Sequence, residues 1–482
     1  MTVPHVVVLG GSVAGLTSAL AFARQGARVT LIERDAIDHP NVSDLRQDAS
    51  VKAWWRKGVA HARHTHALAA LGRQVLRERA ADVWHALLAA GALEMPFGAT
   101  LDGRGRIPRC EDPDLFGLSV RRSLVEAVLR PIVCAEPNVQ LRSQTAVMGL
   151  ILDRATMPTV QGVSTTAGDV LGDLTIDALG RSSPLAKWLH AAGMPEPSES
   201  VEPCGLAYYT RWYRVRQPPS VRLQAGLSAG GYAAASGCVV CPADNGYASV
   251  TLMVPQTDKR LHVFDDPLLF TAVARAHPGV ADWLQPTVCA PLSDVLRWPV
   301  CENRLHRFVV DGRPVLLGAV AVGDSLCVTN PTYTRGMSLA MRYAFALADL
   351  AACEGGHDPV SFALQADRLA GRWVRPWYQD SVEQDRVRTA CWAGMPPSPR
   401  STDITLQDIA ATARHDPLVW HALARRTGML DAPEAIFARE DVLVRVHTHR
   451  AQDMPSPPQP SRAALMRLIA DNRMADCVHP PA

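Results

Sequence analysis

The sequence lacks the features that would place it in a membrane or on a nucleic acid. Its 482 residues contain no apolar run that approaches the roughly eighteen residues needed to span a bilayer. The formal net charge at pH 7 is only +2, so the overall charge does not favour a nucleic-acid partner. The first predicted strand begins close to Met1, which leaves no room for a signal peptide. We therefore expect a cytoplasmic protein with no membrane span and no nucleic-acid partner.

The sequence also lacks a cysteine and histidine pattern that would predict a metal site. Its 11 cysteines are scattered, which in a reducing compartment predicts mostly free thiols. Cys238 and Cys241 form a C-x-x-C pair, but they lie in a strand-like segment whose period of two sends their side chains to opposite faces, and no second pair completes a zinc site. His61, His64 and His66 have no matching set of acids or cysteines, which favours contacts with neighbours or a phosphate over a metal ion.

A strand, turn, helix and strand unit occupies residues 6–33. Val6–Leu9 is a continuous apolar run, which is typical of a parallel strand buried on both faces. The following amphipathic stretch ends at Gly26, where a helix needs a left-handed residue after its last turn. Arg28–Glu33 then predicts a second strand.

The turn between the first strand and the helix holds the position of the dinucleotide fingerprint G-x-G-x-x-G. Gly10 allows a tight turn and Gly15 allows the helix to pack closely on the strand, while the helix N-terminus offers unpaired N–H groups to a pyrophosphate. Ser12 replaces the middle glycine, a departure that a small side chain can accommodate. Glu33 ends the second strand 18 residues after Gly15, where a carboxylate accepts hydrogen bonds from an adenosine ribose and disfavours a 2′-phosphate.

Polar residues follow two other predicted buried strands. Leu174–Ile176 leads to Asp177 and Gly180, and Val315–Val322 leads to Gly323-Asp324. Such residues at the carboxyl edge of a parallel sheet are typical of a ligand site.

A loop and a long helix follow Asp324. The loop passes through Asn330-Pro331 to Gly336, and the helix is predicted over Met337–Cys353, closed by Gly355 and Gly356. The N-terminus of this helix would stabilise an anion, or a ring that becomes anionic on reduction.

The remaining patterns predict an α/β chain with an antiparallel sheet and a helical end. The predicted elements are a long helical stretch over His66–Leu93, a strand end and helix over Leu118–Arg130, two strands within Val139–Val163, antiparallel strands within Gly205–Pro255, helices beyond Gly356, a Pro-rich link over Met454–Pro460 and a last helix over Ser461–Asn472. Arg121 and Arg122 lie at the strand-to-helix junction, where they are expected either to be solvated or to reach a phosphate. In Leu206–Val215 a period of two places alternate residues on opposite faces, and the sequence does not say which face lines a pocket.

These landmarks together resemble the flavoprotein monooxygenase superfamily of the p-hydroxybenzoate hydroxylase fold. The first unit with Glu33 is similar to its FAD-binding start, Asp177–Arg181 to its D-A-x-G-R element, and Gly323-Asp324 with the following loop to its G-D motif. Arg63, His64, His66 and Arg122 are also similar to a bacterial branch of FAD-dependent oxidoreductases.

The resemblance implies an α/β fold with three parts. A Rossmann-like FAD-binding domain would carry an inserted antiparallel β-sheet substrate domain and a helical C-terminal region. The expected boundaries are residues 1–75, 110–190 and 295–355 for the FAD-binding domain, 76–109 and 191–294 for the substrate domain, and 356–482 for the C-terminal region.

The resemblance also implies a set of cofactor-binding residues. Glu33 would bind the adenosine ribose, Arg122 would lie along the ribityl and phosphate region, Asp324 would hydrogen-bond a ribityl hydroxyl or a pyrophosphate-side group, and the amides near Gly336 would face N1 and O2 of the flavin. Ser325 and Thr334-Arg335 depart from the family pattern, and Arg335 would place a cation at the flavin edge. The complete expected set is Gly10, Ser12, Val13, Ala14, Gly15, Glu33, Arg34, Arg122, Asp324, Pro331, Arg335, Gly336 and Met337.

The implied function is that of an FAD-dependent monooxygenase of secondary metabolism. NADH or NADPH, directly or through a flavin reductase, would reduce the flavin, and O2 would give a C4a-hydroperoxide that hydroxylates or epoxidises a hydrophobic or aromatic small molecule. The sequence assigns no catalytic residue, and Tyr209, Arg211 and Tyr213 are candidates either for the pocket lining or for ordinary sheet packing. A halogenase would carry a W-x-W-x-I-P signature, which the sequence lacks. The alternatives are an FAD-dependent reductase, a redox-neutral cyclase on the same fold and a non-catalytic flavin-binding protein.

Overall fold

The structure is a computed structural model of the chain. It describes residues 4–37, 40–53, 56, 58–59, 61–97, 100–101, 105–106, 112–153, 157–217, 229–298, 302–353, 358–395, 404–450 and 460–478.

Strands and helices are mixed up to residue 352, and the described elements beyond it are helical. The helices are α1 (Val13–Arg24), α2 (Ala70–Arg79), α3 (Ala81–Ala89), α4 (Arg122–Ala135), α5 (Leu185–Ala191), α6 (Pro267–Arg275), α7 (Gly336–Ala352), α8 (Pro359–Trp373), α9 (Arg375–Trp392), α10 (Leu406–Thr412), α11 (Pro417–Thr427), α12 (Glu440–Arg450) and α13 (Arg462–Val478). The strands are β1 (His5–Leu9), β2 (Arg28–Ile32), β3 (Leu93–Pro96), β4 (Thr100–Leu101), β5 (Gly105–Arg106), β6 (Phe116–Ser119), β7 (Val139–Arg142), β8 (Val147–Asp153), β9 (Thr159–Thr165), β10 (Gly168–Leu171), β11 (Leu174–Asp177), β12 (Ser198–Pro203), β13 (Leu206–Val215), β14 (Ala229–Tyr232), β15 (Gly237–Pro242), β16 (Tyr247–Pro255), β17 (Cys289–Pro291), β18 (Leu296–Trp298), β19 (Glu302–Arg307), β20 (Val309–Val310), β21 (Arg313–Pro314), β22 (Ala319–Ala321) and β23 (Cys327–Val328).

A parallel sheet of order β22-β11-β1-β2-β7 forms the centre of the N-terminal part. The predicted unit over residues 6–33 is confirmed as β1, α1 and β2, and Val6–Leu9 of β1 is at most 2% exposed. Helices α1, α4 and α7 bury their apolar residues in the main hydrophobic core beside this sheet. The turns after β1, β11 and β22 meet at one edge, because the Ala178 amide donates to the Leu9 carbonyl and the Val322 amide to the Asp177 carbonyl, both at 2.9 Å.

The second large sheet is antiparallel, with the order β14-β15-β16-β13-β17 and β18 paired to β13. One face of β13 packs against the region of α6, where Tyr209 and Tyr213 share a hydrophobic core with Phe264 and Phe270. The opposite face of β13 turns towards the N-terminal part, since the Trp212 indole donates to the Arg63 carbonyl at 2.6 Å. The predicted antiparallel sheet is confirmed, and the fold class is the expected one.

Two predicted elements are wrong in their extent. The helical stretch expected over His66–Leu93 is two helices, α2 and α3, because Leu68 first pairs as an isolated bridge with Leu118 and Ala80 adopts φ −151° and ψ 59° between the helices. The strand expected over Val315–Val322 is reduced to β22, because Gly318 at φ +70° interrupts the extended chain. A side chain at Gly318 would meet the Val160 carbonyl oxygen at 2.4 Å, which accounts for the glycine.

The helix predicted over Leu118–Arg130 and the pair of strands predicted within Val139–Val163 are present in altered form. Helix α4 begins at Arg122 after β6, and the hairpin consists of β8 and β9, while β7 belongs to the central sheet. Cys238 and Cys241 are buried free thiols of β15, as predicted.

The C-terminal helices dock on the rest of the chain, and their tryptophans contribute to the contact. Trp377 and Trp420 are buried, and Trp373 and Trp392 are half-buried. The last helix, α13, extends beyond the predicted Ser461–Asn472 and packs against α6. Gly355, Gly356 and most of the Pro-rich link lie outside the described residues.

Two further observations concern the expected boundaries and the membrane. Helix α3, placed by the expected boundaries in the substrate domain, buries Val83, Trp84 and Leu87 in the main core with α4. Within the described ranges, no helix has both the length and the apolar character that a membrane crossing requires.

Candidate functional site

A long cleft runs along the carboxyl edge of the parallel sheet. Its empty volume, with the open mouth included, is about 1450 Å³. The cleft is lined by most residues of the expected cofactor set: Gly10, Ser12, Val13, Ala14, Glu33, Arg34, Arg122, Asp324, Gly336 and Met337. Pro331 and Arg335 line a second cavity that shares Gly336 and Met337 with the cleft, and Gly15 does not line either cavity.

The turn after β1 has the shape that a dinucleotide requires. Gly10 adopts φ +97°, and a Cβ there would lie 2.5 Å from the Ala178 carbonyl oxygen. Gly15 packs still more closely, since an added Cβ would lie 1.7 Å from the Gly10 carbonyl oxygen. The close approach leaves the N-terminus of α1 open to the cleft, where its amides and partial positive charge favour a phosphate group.

Glu33 is buried at the end of β2, at the point expected for the ribose-binding acid. Its Oε2 accepts from the Gly11 amide and from the Arg56 guanidinium, both at 2.7 Å, and its Oε1 accepts from the Asp35 amide at 2.8 Å. These contacts fix the carboxylate beside the glycine turn. The side chain of the neighbouring Arg34 is 65% exposed at the rim.

A buried ion network connects the glycine turn to α4. Glu126 accepts from Arg56 and from the Ser12 hydroxyl at 2.7 Å each and from Arg122 Nε at 3.0 Å, and Arg122 also donates to Ser12. Ser12 has φ −98°, a backbone conformation that residues with a side chain readily adopt, and side chains of α4 bind its hydroxyl. This explains how a serine replaces the middle glycine of the fingerprint.

The two arginines at the start of α4 have different surroundings. Arg121 is buried and pairs with Asp244 at 2.7 Å, so it links α4 to the antiparallel sheet and does not line the cleft. Arg122 lines both the cleft and the second cavity. Of these two arginines, Arg122 is therefore the one that can reach a phosphate in the cleft.

Acid should weaken the network around Glu126. Burial acts to raise the pKa of this carboxyl, but the charges of Arg56 and Arg122 and the Ser12 hydrogen bond outweigh it and hold the pKa below its usual value. Its contribution to the free energy of unfolding is therefore fully present above the ordinary carboxyl pKa of about 4.3 and is lost as the pH falls through the lowered folded value. Glu126→Gln should lower the free energy of unfolding at pH 7 by about 1–3 kcal/mol, and its stability should fall less steeply below pH ~4.3 than that of the parent. Urea titrations at several pH values measure both effects. If the free energy of unfolding of variant and parent fell equally steeply with acid, the assignment would be contradicted.

Asp324 follows β22 and lines the same cleft as the glycine turn. Its Oδ2 is 3.6 Å from Nε2 of His61. Burial acts to raise its pKa, but the nearby His61 imidazole and the charges of Arg122 and Arg181 outweigh burial and hold the pKa below its usual value. The carboxylate is thus ionised and faces the cleft.

Asp324→Ala should reduce the affinity for FAD about 10-fold to 100-fold, because a hydrogen bond to a charged group contributes about 1.5–3 kcal/mol. Fluorescence titration of the FAD-free variant with FAD measures the dissociation constant. Asp349→Ala is the matched control. Asp349 lies in α7, the helix that follows the Asp324 loop, and its side chain is 45% exposed and pairs with Arg79. Equal FAD affinity of Asp324→Ala and the parent would refute the assignment.

The loop before α7 departs from the expected picture at Arg335. The Arg335 side chain is buried against α9, where it donates to the Trp377 carbonyl at 3.1 Å and forms an ion pair with Asp380. Asp380, which also pairs with Arg426, thus ties Arg335 to the C-terminal region, while Arg335 still lines the second cavity. The position of this cation at the flavin edge stays a prediction. Thr334 adopts the left-handed φ of +60°, so the loop turns into α7 at a position that glycine usually occupies.

The second cavity lies between the cleft and the antiparallel sheet. It is lined by His61, Thr65, His66, Ala67, Arg122, Arg181, Tyr208, Trp298, Glu302, Asp324, Val328, Thr329, Pro331, Thr334, Arg335, Gly336 and Met337. The candidates Tyr209, Arg211 and Tyr213 do not line it, because they lie on the opposite face of β13. Tyr208, on the other face, supplies the aromatic wall together with Trp298.

Several site residues were missed by sequence reasoning. Arg56 and Glu126 were not identified, because their partners lie 23 and 114 residues away from them, in Glu33 and Ser12 respectively. The sequence around Trp298 and Glu302 contains no motif that predicts their place in the second cavity. Among the described residues, which include His61, His64 and His66, no group of three or more His, Cys, Asp or Glu side chains is placed to hold a metal ion.

Comparison with known proteins identifies the family. A family model described as an FAD-binding domain, of the p-hydroxybenzoate hydroxylase type, matches residues 4–366. The Mycobacterium tuberculosis protein Rv3254 is 24% identical over 458 residues, which cover 89% of this chain and 90% of that protein.

Solved structures share the fold. PqsL from Pseudomonas aeruginosa, described as a probable FAD-dependent monooxygenase, superposes with a TM-score of 0.56 at 15% identity, covering 82% of this chain and 99% of that chain. The myxobacterial chondrochloren halogenase CndH superposes with a TM-score of 0.57 at 15% identity, covering 95% of this chain and 98% of that chain. The chain therefore belongs to the FAD-binding family of the p-hydroxybenzoate hydroxylase type and is an FAD-dependent oxidoreductase.

Proposed function

We propose that the chain inserts one oxygen atom into a hydrophobic or aromatic small molecule bound in the second cavity, by hydroxylation or epoxidation. The observation that carries this proposal is the junction of the two cavities at Gly336 and Met337, the start of α7. A flavin in the cleft would meet a substrate in the second cavity at this point.

Different residues of the cleft would bind different parts of FAD. Glu33 would accept hydrogen bonds from the adenosine ribose, the N-terminus of α1 would face the pyrophosphate, and Arg122 would neutralise part of its charge. Asp324 would hold the ribityl chain, and the amides at the start of α7 would stabilise negative charge on the ring. FAD, when bound and reduced, supplies the activation of dioxygen.

The second cavity would orient the substrate and keep water away from it. Tyr208 and Trp298 offer flat aromatic surfaces, and Val328, Pro331 and Met337 add apolar surface. Such a lining favours a ring or another apolar body, while the polar groups at the junction fix its orientation. The electron donor in this proposal is NADH or NADPH, acting directly or through a flavin reductase, and the oxidant is O2.

Oxygen-18 labelling tests this proposal. The FAD-loaded protein is incubated with NADH, NADPH or a flavin reductase, a panel of aromatic acids, phenols and alkenes, and oxygen-18 gas, and the products are analysed by mass spectrometry. The expected product carries one oxygen-18 atom. A product formed without oxygen-18 would contradict oxygenation and favour the reductase or the redox-neutral cyclase. Bound FAD that no donor reduces would instead favour a non-catalytic flavin-binding protein.

A further inference from the structure

His306 connects strand β12 to the turn that carries Asp324. It lies in β19, directly opposite Glu199 of β12 in the antiparallel register. Its Nδ1 lies 2.9 Å from the carbonyl oxygen of Ser325, and its Nε2 lies 3.0 Å from Oε1 of Glu199. The side chain is only 15% exposed, so protein groups surround most of the ring. The two ring nitrogens thus link β12 with the end of the turn after β22.

Both oxygens beside the His306 ring can only accept a hydrogen bond. The oxygen of Ser325 is a backbone carbonyl, and Oε1 of Glu199 is a carboxylate oxygen that also lies 2.9 Å from Nη1 of Arg304. A neutral imidazole carries one proton, so one of its nitrogens would point a lone pair at one of these oxygens. The imidazolium carries a proton on each nitrogen, and it is the form that satisfies both contacts.

Ser325 relays this contact to two turns that line the cofactor cleft. Its hydroxyl donates to Oδ1 of Asp177 at 3.1 Å and accepts from the Gly180 amide at 2.8 Å, so it ties the turn after β22 to the turn after β11. Gly180 lines the cleft, and so does Asp324, which precedes Ser325 in the chain. A displacement of Ser325 would therefore move both turns.

Charged side chains of both signs lie around His306. Glu199 faces it from β12 and Asp177 from the end of β11, while Arg304 of its own strand contacts the same oxygen of Glu199. Burial raises the pKa of Asp177, and the hydrogen bonds to its carboxylate and the charge of His306 act in the opposite direction. Loss of the proton from His306 would remove a positive charge that both carboxylates face.

We propose that His306 is a positioning residue for FAD whose doubly protonated ring holds Ser325, and with it Asp324, in the place that binds the cofactor. When the ring loses a proton, a lone pair faces an oxygen at one of the two contacts, and the other contact loses the strength that charge gives a hydrogen bond. Because the charged ring favours the FAD-binding position of the turn, FAD affinity is higher at low pH and falls as the pH rises through the titration of His306. The effect on FAD rests on the proposed role of Asp324, whereas the protonation of His306 does not.

Histidine side-chain NMR tests the protonation state. Long-range ¹H–¹⁵N spectra of the FAD-loaded full chain are recorded at about pH 7, where an ordinary histidine is mostly neutral, and His306→Asn identifies the signals of His306. Both ring nitrogens of His306 should carry a proton. A ring with one unprotonated nitrogen under these conditions would overturn the proposal.

Titration of the FAD-free chain with FAD tests the effect on the cofactor. Between about pH 6 and about pH 9, the dissociation constant of the parent should rise about 3-fold to 10-fold more than that of His306→Asn. Glu199→Gln should abolish this excess, since an amide can accept from the charged ring and donate to the neutral one. His190→Asn is the control and should retain the full excess, because His190 is 78% exposed and pairs with Glu196 at the surface.

The comparison between variants isolates His306, because His61 also lines the cleft and is present in all of them. An equal pH dependence of FAD affinity in the parent, His306→Asn and Glu199→Gln would contradict the positioning role. Glu199 is 41% exposed, so Glu199→Gln tests the proposal even if His306→Asn does not fold. Neither measurement involves oxygen or a substrate, so a negative result is distinguishable from a failure to oxygenate.

Discussion

Gly15→Ala should produce a protein that retains no FAD. An added Cβ would lie 1.7 Å from the Gly10 carbonyl oxygen, so α1 must move away from the turn that it supports. Overpacking against backbone of this kind costs on the order of 3 kcal/mol or more, because neither the helix nor the turn is a flexible side chain that can rotate away. The amides at the start of α1 would then lose their place at the cleft. We expect FAD affinity at least about 100-fold weaker, measured by fluorescence titration with FAD.

Gly231→Ala is the control for this substitution. Gly231 lies in β14, no atom would come within 4 Å of an added Cβ, and its φ is not in the left-handed region. Its FAD affinity and unfolding midpoint should match those of the parent. Full FAD retention by Gly15→Ala would contradict the close packing of α1 on the turn after β1.

Asp385→Ala should destabilise the protein by about 3–5 kcal/mol, because it leaves a buried arginine without its carboxylate. Asp385 is 1% exposed and lies in α9, which is beyond the end of the family match at residue 366. It accepts hydrogen bonds from Asn303 and Asn330 at 2.7 Å, from Tyr333 at 2.8 Å and from Arg388 at 2.6 Å. Asn330 and Tyr333 belong to the loop that leads into α7, so the Asp385 carboxylate anchors that loop to α9.

The loss of Asp385 should therefore affect both stability and cofactor binding. Urea unfolding should show a lower free energy of unfolding, and FAD titration should show a lower affinity for FAD. Arg386→Ala is the control on the same helix: Arg386 is 62% exposed and pairs with Glu202, so its removal should change stability by less than about 1 kcal/mol. Comparable stability of the two variants would show that the buried network around Asp385 contributes little.

The parts of the site that the sequence predicts are those that are contiguous in the chain. The turn after β1, Glu33 at the end of β2 and Asp324 after β22 each follow a short apolar strand, and the carboxyl ends of parallel strands meet at one edge of a sheet. Local pattern and sheet geometry together are sufficient for these residues. The resemblance to FAD-dependent monooxygenases, which the family match confirms, added the identity of the cofactor.

The parts that the sequence does not predict depend on long-range packing. A period of two divides β13 into two faces, but only the docking of α6 decides that Tyr209 is in the core and Tyr208 in the cavity. The location of the Arg335 charge likewise depends on Asp380 of α9, 45 residues further along the chain. Gly318 breaks an apolar run because the backbone of Val160 approaches it, and nothing within residues 315–322 indicates that contact.

The visible absorption spectrum of the purified protein, followed with dissolved oxygen, tests the central claim most directly. After reconstitution with FAD, we expect flavin bands that bleach when NADH, NADPH or a flavin reductase is added without oxygen. The bands should recover, with oxygen uptake, when oxygen is admitted. Gly15→Ala, treated in the same way, should show no bound flavin. Absence of flavin bands from the reconstituted parent protein, or bands that no donor bleaches, would contradict an FAD-dependent oxidoreductase.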